Sequence, residues 1–292
     1  MKKLAFRGVG TALITPFLNG KIDYEALEGL IEMQIDAGVD ALVIGGTTGE
    51  AATLSDDERY ELYTFAKEKI NQRCRLILGA GTNDTEVAIR HTKFAEGLGC
   101  DGVLLVTPYY NKGTDRGLIY HYRKISDSTT LPIILYNVPQ RTGVNLSQRC
   151  LECLSEIDNV VGIKEASDSA DRLVSIASMG DRLRLYAGND TQFFTTLALG
   201  GAGVISVASN VAPREMNQIY RAFSDGKVEQ ARREQMRLVP LIHSLFVETN
   251  PAPIKYAMFK LGLCSEEMRL PLYEISDDNK RIVEIELNRL KI

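Results

Sequence analysis

Eight short apolar or β-branched runs, each followed by a longer amphipathic segment, constrain this chain more than any other feature of its sequence. The runs cover residues 8–14, 41–44, 76–79, 102–106, 133–136, 160–164, 183–187 and 203–207. Their spacing, roughly 20 to 35 residues, is what one strand, one loop and one helix consume. The intervening segments carry helical signals. In 24–37, Leu27, Leu30, Ile31 and Ile35 share one stripe that stops at Gly38. Ser55-Asp56-Asp57-Glu58 has the capping-box pattern, serine followed by glutamate three residues on. Segments 84–98, 115–126, 147–157, 169–179 and 191–199 follow the same rule. Strands alternating with helices give parallel βαβ units. A doubly wound sheet usually stops at about five or six strands, whereas eight such units close a barrel at about this length. The expected fold is therefore α/β, a (β/α)8 TIM barrel over residues 1–227. Segments 213–224, 228–247, 253–261 and 276–290 also read as helices, more than the last units require. Residues 228–292 are thus expected as a C-terminal helical extension. No Gly/Ser- or Pro-rich linker precedes it, so it should pack on the barrel.

Composition narrows the function classes. The chain has 292 residues, 45% hydrophobic and 25% charged, with net charge −4. Without a Lys/Arg cluster, this mildly acidic balance argues against nucleic acid and anionic membrane surfaces as partners. No apolar run approaches the ~20 residues of a bilayer span. Residues 1–8 are interrupted too soon by charge for a signal peptide, and the cytoplasm is the expected location. Of five cysteines, Cys150 and Cys153 have redox or metal spacing, but they fall in a helical segment and no second pair completes a site. The three histidines, His91, His121 and His243, are too scattered for a zinc site or a Ser-His-Asp triad.

The chemistry should gather at the C-terminal ends of the strands, where barrels of this kind build their sites. Hydroxyls, amides, one lysine and one arginine collect there. In Val160-Val161-Gly162-Ile163-Lys164-Glu165, alternation puts Val160, Gly162 and Lys164 on one side, with Gly162 leaving space beside the lysine. An amine held out of water is favoured in its neutral form, which attacks carbonyls; a strand-end lysine reaching solvent is the plainer alternative. Tyr136, on the preceding strand, would lie about 5 Å away at the backbone and could carry protons, or simply fill the barrel. Gly46-Thr47-Thr48-Gly49 is either a tight turn or a pocket of exposed amides for a carboxylate, with Thr48 relaying protons. It is not a phosphate loop, since no Gly-Lys-Ser/Thr follows. Arg141, closing a turn after Pro139, either binds a carboxylate in bidentate fashion or lies on the surface.

Taken together, Gly45-Gly46-Thr47-Thr48-Gly49-Glu50, Val106-Thr107-Pro108-Tyr109-Tyr110-Asn111, Tyr136-Asn137-Val138-Pro139-Gln140-Arg141-Thr142-Gly143 and Gly162-Ile163-Lys164-Glu165-Ala166 resemble the dihydrodipicolinate synthase (4-hydroxy-tetrahydrodipicolinate synthase) family of class I aldolases. The resemblance implies a lyase of diaminopimelate and lysine biosynthesis that condenses pyruvate with L-aspartate 4-semialdehyde to 4-hydroxy-tetrahydrodipicolinate. It implies a Schiff base between Lys164 and pyruvate, and a proton relay of Tyr136, Thr48 and Tyr110, with Tyr110 reaching a neighbouring subunit's site. Arg141 would hold the semialdehyde carboxylate, the Thr47 and Thr48 amides the pyruvate carboxylate, and Gly188 and Ile205 main-chain groups would line the pocket. No metal or organic cofactor is implied, and the expected assembly is a homotetramer, a dimer of dimers. Asn83 and Tyr109 match the family's lysine-regulatory region, but Ala51, Asp56 and Arg59 depart from the lysine-inhibited pattern and Val87 stands where a glutamate is often found, although Glu86 is adjacent, so weak or absent inhibition is expected. Sister pyruvate-lysine aldolases, such as N-acetylneuraminate lyase, share the lysine and tyrosine but usually lack the arginine motif.

Overall fold

The computed structural model describes residues 2–292. Eight parallel strands close a barrel: β1 Gly8–Ala12, β2 Ala41–Ile44, β3 Arg75–Gly79, β4 Gly102–Val106, β5 Ile133–Asn137, β6 Val160–Glu165, β7 Arg184–Ala187 and β8 Gly203–Ser206, in the order β1-β8-β7-β6-β5-β4-β3-β2. Nearly every strand residue is buried, as parallel strands covered by helices require. The helices that follow are α1 Tyr24–Asp36, α2 Asp56–Ile70, α3 Thr85–Gly97, α4 Asp115–Ser126, α5 Gln148–Ser155, α6 Ala170–Ala177, α7 Phe193–Ala198 and α8 Pro213–Ser224. Six of them start where the sequence supplies a side-chain cap. Asp23, Ser55, Asp84, Thr114, Ser147 and Ser169 each accept from a first-turn amide, and Ser55 and Glu58 complete the capping box. Each such cap stabilises its helix by about 1 kcal/mol. The chain ends with α9 Val228–Ser244, α10 Ala252–Lys260 and α11 Asp277–Leu290.

The chain falls into two compact units, one of residues up to Gly8 with Arg75–Ile205, the other of Val9–Cys74 with Ser206–Ile292. Within the first, β5 and β6 run in register, with Tyr136 opposite Lys164 and Asn137 opposite Glu165. Within the second, α9 lies along α8, and α11 packs on both α9 and α10.

Three local features depart from the periodic pattern. A two-stranded hairpin of Phe17–Leu18 and Lys21–Ile22 turns through Asn19 and Gly20, both at positive φ. Residues 139–142 form one helical turn, Pro139–Thr142, started by its proline and closed by Gly143 at φ +67°. Strand β6 also slips register: Ile133 faces Val160 but Ile134 faces Gly162, leaving Val161 as a bulge. The space beside Gly162 is not left to the lysine. A Cβ there would stand 2.9 Å from Tyr186 Cε2 and 2.8 Å from the Arg184 carbonyl. The Tyr186 ring fills it, with its hydroxyl donating to the Phe6 carbonyl at 2.6 Å.

Candidate active site

In the first unit, the register pairing of β5 and β6 brings Lys164 to Tyr136. Lys164 is only 5% exposed and Tyr136 7%, so the lysine does not run out to solvent. Its Nζ lies 4.3 Å from the centroid of the tyrosine ring, within the range where an ammonium is attracted to an aromatic face. The end of β4 is bolted to the same point, because both the amide and the hydroxyl of Thr107 donate to the Tyr136 carbonyl at 2.9 Å. After β7, the Gly188 amide donates to the Glu165 carbonyl at 2.7 Å. A Cβ on Gly188 would fall 2.6 Å from Ala166 Cβ, so only glycine lets these backbones approach. Ile205, in β8, is fully buried.

The rim of this unit carries the longer side chains. Arg141 is exposed on its helical turn. Tyr110 is 90% exposed and sits at φ +68°, a conformation uncommon for a bulky residue. Tyr109 is 38% exposed. Asn111 Nδ2 donates to the Asn83 carbonyl at 3.0 Å and ties the two loops together.

In the second unit the turn after β2 is held from several directions. Gly45, at φ +68°, lies under the Tyr63 ring, where a Cβ would come 2.4 Å from the hydroxyl. Thr15 Oγ1 donates to the Gly49 carbonyl at 2.7 Å, and the Glu50 amide to the Thr47 carbonyl at 3.1 Å. Thr48 is 3% exposed, and its hydroxyl oxygen accepts from Asn250 Nδ2 at 3.0 Å. That leaves the Thr48 hydroxyl proton to be given elsewhere. Thr47 is half-buried. Glu50, at φ +53°, makes an ion pair with Lys255 in which both side chains are fully buried, and its second oxygen accepts from the Arg269 amide at 3.1 Å. Arg59, on α2, donates to the Tyr63 hydroxyl at 3.1 Å and to the Ala51 carbonyl at 2.7 Å, so its guanidinium braces the turn. Asp56 opens the same helix. Neither Asn250 nor Lys255 was singled out by the sequence, since they meet the turn across 202 and 205 residues.

Among the described residues, no cluster of His, Cys, Asp or Glu could hold a metal ion, and no helix is long and apolar enough to cross a membrane. Cys150 and Cys153 lie on α5, and burial pushes the Cys150 thiol up to about 12, the wrong direction for a thiolate ligand.

The model of the dihydrodipicolinate synthetase family matches residues 5–290. The chain belongs to this family. It is 50% identical over 277 residues to 4-hydroxy-tetrahydrodipicolinate synthase of Thermotoga neapolitana, covering 93% of this chain and 94% of that one. The crystal structure of dihydrodipicolinate synthase from Thermotoga maritima superposes with a TM-score of 0.95 at 43% identity, over 98% of each chain. The chloride-inhibited dihydrodipicolinate synthase from Acinetobacter baumannii, solved with pyruvate, gives 0.96 at 38% identity over 98% and 99%. The closed eight-stranded barrel with added C-terminal helices is the architecture shared with these dihydrodipicolinate synthases. A buried primary amine beside a phenol is, chemically, a site for imine formation with proton transfer.

Proposed function

We propose that the chain condenses pyruvate with L-aspartate 4-semialdehyde to 4-hydroxy-tetrahydrodipicolinate, as a lyase of diaminopimelate and lysine biosynthesis. The observation that carries the reading is the buried Lys164 amine 4.3 Å from the Tyr136 ring, on adjacent strands of a barrel of this family. Lys164 attacks the pyruvate ketone, and water leaves as the Schiff base forms. Loss of a methyl proton gives the enamine, whose carbon adds to the semialdehyde carbonyl. The substrate amine then displaces Lys164 by transimination, closing the ring. Tyr136, Thr48 and Tyr110 move the protons. The Thr47 and Thr48 amides hold the pyruvate carboxylate, main-chain groups of Gly188 and Ile205 line its pocket, and Arg141 takes the semialdehyde carboxylate. These groups supply every step without a cofactor.

Borohydride reduction in the presence of pyruvate tests the reading. One reduced pyruvyl group on Lys164, seen by peptide mass spectrometry and lost in Lys164→Ala, is expected, with turnover of the semialdehyde in the unreduced enzyme. An adduct without semialdehyde turnover would point instead to a sister aldolase, and no adduct would exclude both.

Three finer assignments accompany this reading. The assembly is a dimer of dimers in which Tyr110 acts in a neighbouring subunit's site, supported by its near-complete exposure from its own chain. Lysine inhibits weakly or not at all, because Ala51, Asp56, Arg59 and Val87 replace the residues of lysine-inhibited relatives and Arg59 is engaged with Tyr63 and Ala51. Potent inhibition by sub-millimolar lysine in a turnover assay would overturn that second assignment. The cytoplasm is the location in keeping with the free thiols of Cys150, Cys153 and Cys264.

A further inference from the structure

Glu165 follows Lys164 directly and ends β6, so the two side chains leave the strand on opposite faces. Its carboxylate is fully buried and is met by donors from three places. Asn137 Nδ2 donates to both oxygens at 3.0 Å, Ser167 N to Oε1 at 2.8 Å, and Arg172 Nε to Oε2 at 3.0 Å. Asn137 is also fully buried and faces Glu165 across the register, as Tyr136 faces Lys164. The asparagine holds the chain beyond it as well. Its Nδ2 donates to Asn145 Oδ1 at 2.8 Å, and its Oδ1 accepts from Leu146 N at 3.1 Å. Those two contacts close the excursion 138–146, which carries Arg141 on its helical turn.

We propose that Glu165, held by Asn137 and Arg172, is a positioning residue for the condensation, locking the Tyr136–Lys164 geometry and the Arg141 excursion to one buried carboxylate. The proposal rests on Lys164 being the Schiff-base amine. Glu165 touches no reacting atom; it acts through the residues on either side. A carboxylate buried this deeply is tolerated only while its donors stay in place. Both strand ends that supply the chemistry are therefore fixed to one another through it. A register that only main-chain bonds maintained would leave the last residue of each strand free to fray, because the ladder ends there. Displacing a reacting group by ~1 Å costs about 10²-fold in rate, so an anchor one residue beyond the nucleophile bears directly on turnover.

The test uses full-length Glu165→Gln, Arg172→Gln and Asn137→Ala proteins, each followed by thermal unfolding, single-turnover borohydride trapping of pyruvate, and the KM for the semialdehyde. Glu165→Gln and Arg172→Gln, folded at the assay temperature, are expected to trap pyruvate about 10- to 100-fold more slowly than the parent. Asn137→Ala is expected to slow trapping similarly and also to raise the semialdehyde KM several-fold, since the Arg141 excursion loses its anchor. Arg172→Gln should leave that KM within about twofold, a split that general loss of stability does not produce. Folded Glu165→Gln and Arg172→Gln enzymes that trap pyruvate at the parent rate would overturn the proposal while leaving the Schiff-base reading intact. Should Glu165→Gln fail to fold, Arg172→Gln decides by the same criterion, its side chain lying at the 13%-exposed edge of the network. Absence of any adduct in the parent enzyme would overturn both.

Discussion

His121 is a residue through which acid should weaken this fold. It is 8% exposed, its Nδ1 lies 2.9 Å from Thr85 Oγ1, and its ring meets that of Tyr122 edge-on. Burial pushes its pKa down to about 4, against the opposing pull of Asp84. The folded state therefore binds this proton less readily than the unfolded chain, whose histidine titrates near 6.5. Its contribution is fully present above pH 6.5 and is lost progressively as pH falls through 4. Linkage puts the full swing at ~3 kcal/mol. Urea unfolding at a series of pH values should show this slope in the parent and a flatter one in His121→Gln between pH 6.5 and 4.5. Paired carboxylates such as Glu58, held down to about 2 by Arg269 and by its capping bonds, add their own slope toward pH 4.5, where unfolded carboxyls protonate, but they add it equally to parent and variant, so the difference between the two isolates His121. An unchanged slope in the variant would assign the acid sensitivity to other groups.

At the scale of elements, the turn after β2 depends on a helix far along the chain. Glu50 and Lys255 are both without solvent access, and the Lys255 ammonium also lies 4.4 Å from the Phe17 ring centroid. Burial alone would drive Lys255 toward its neutral form, and Glu50 opposes this. A pair so placed adds little to stability compared with apolar residues of similar size, yet removing one partner strands the other. Lys255→Met is expected to cost about 3–5 kcal/mol in denaturant unfolding at neutral pH. The double variant Glu50→Gln/Lys255→Met should recover a large part of that loss, because no charge is left unpaired. Losses in the two single variants that simply add in the double would exclude the coupling. Neither residue type, at this separation in sequence, announces the other.

At the scale of the whole molecule, the exposed Tyr110 separates an active site complete in one chain from one shared between chains. A mass four times the 32.4 kDa chain is expected in sedimentation. Tyr110→Phe and Lys164→Ala should each lose turnover, the first by about 10²-fold as a displaced proton carrier. Mixed after dissociation and reassembled in equal amounts, they should regain about a quarter of parental activity. In a symmetric dimer each mixed pair then has one site with both an intact lysine and a tyrosine lent by its partner. No recovery would place Tyr110 in its own chain's site.

Much of this protein was legible in its sequence because the information was local and periodic. The eight runs mark the eight strands to within about two residues, an ordinary boundary error, and Ser55, Asp84, Ser147 and Ser169 mark the helix starts. That Tyr136 and Lys164 are neighbours followed from the period of two and from adjacency in a parallel barrel. Tertiary packing decided the rest. The Val161 bulge and the Tyr186 ring in the space beside Gly162 depend on contacts that no window of sequence contains. Asn250 on Thr48, Lys255 under Glu50 and Asn137 across from Glu165 are likewise side chains that meet only after the backbone has folded. Periodicity specifies which face of an element is buried, whereas a buried polar group requires a particular partner, and only the folded chain selects it.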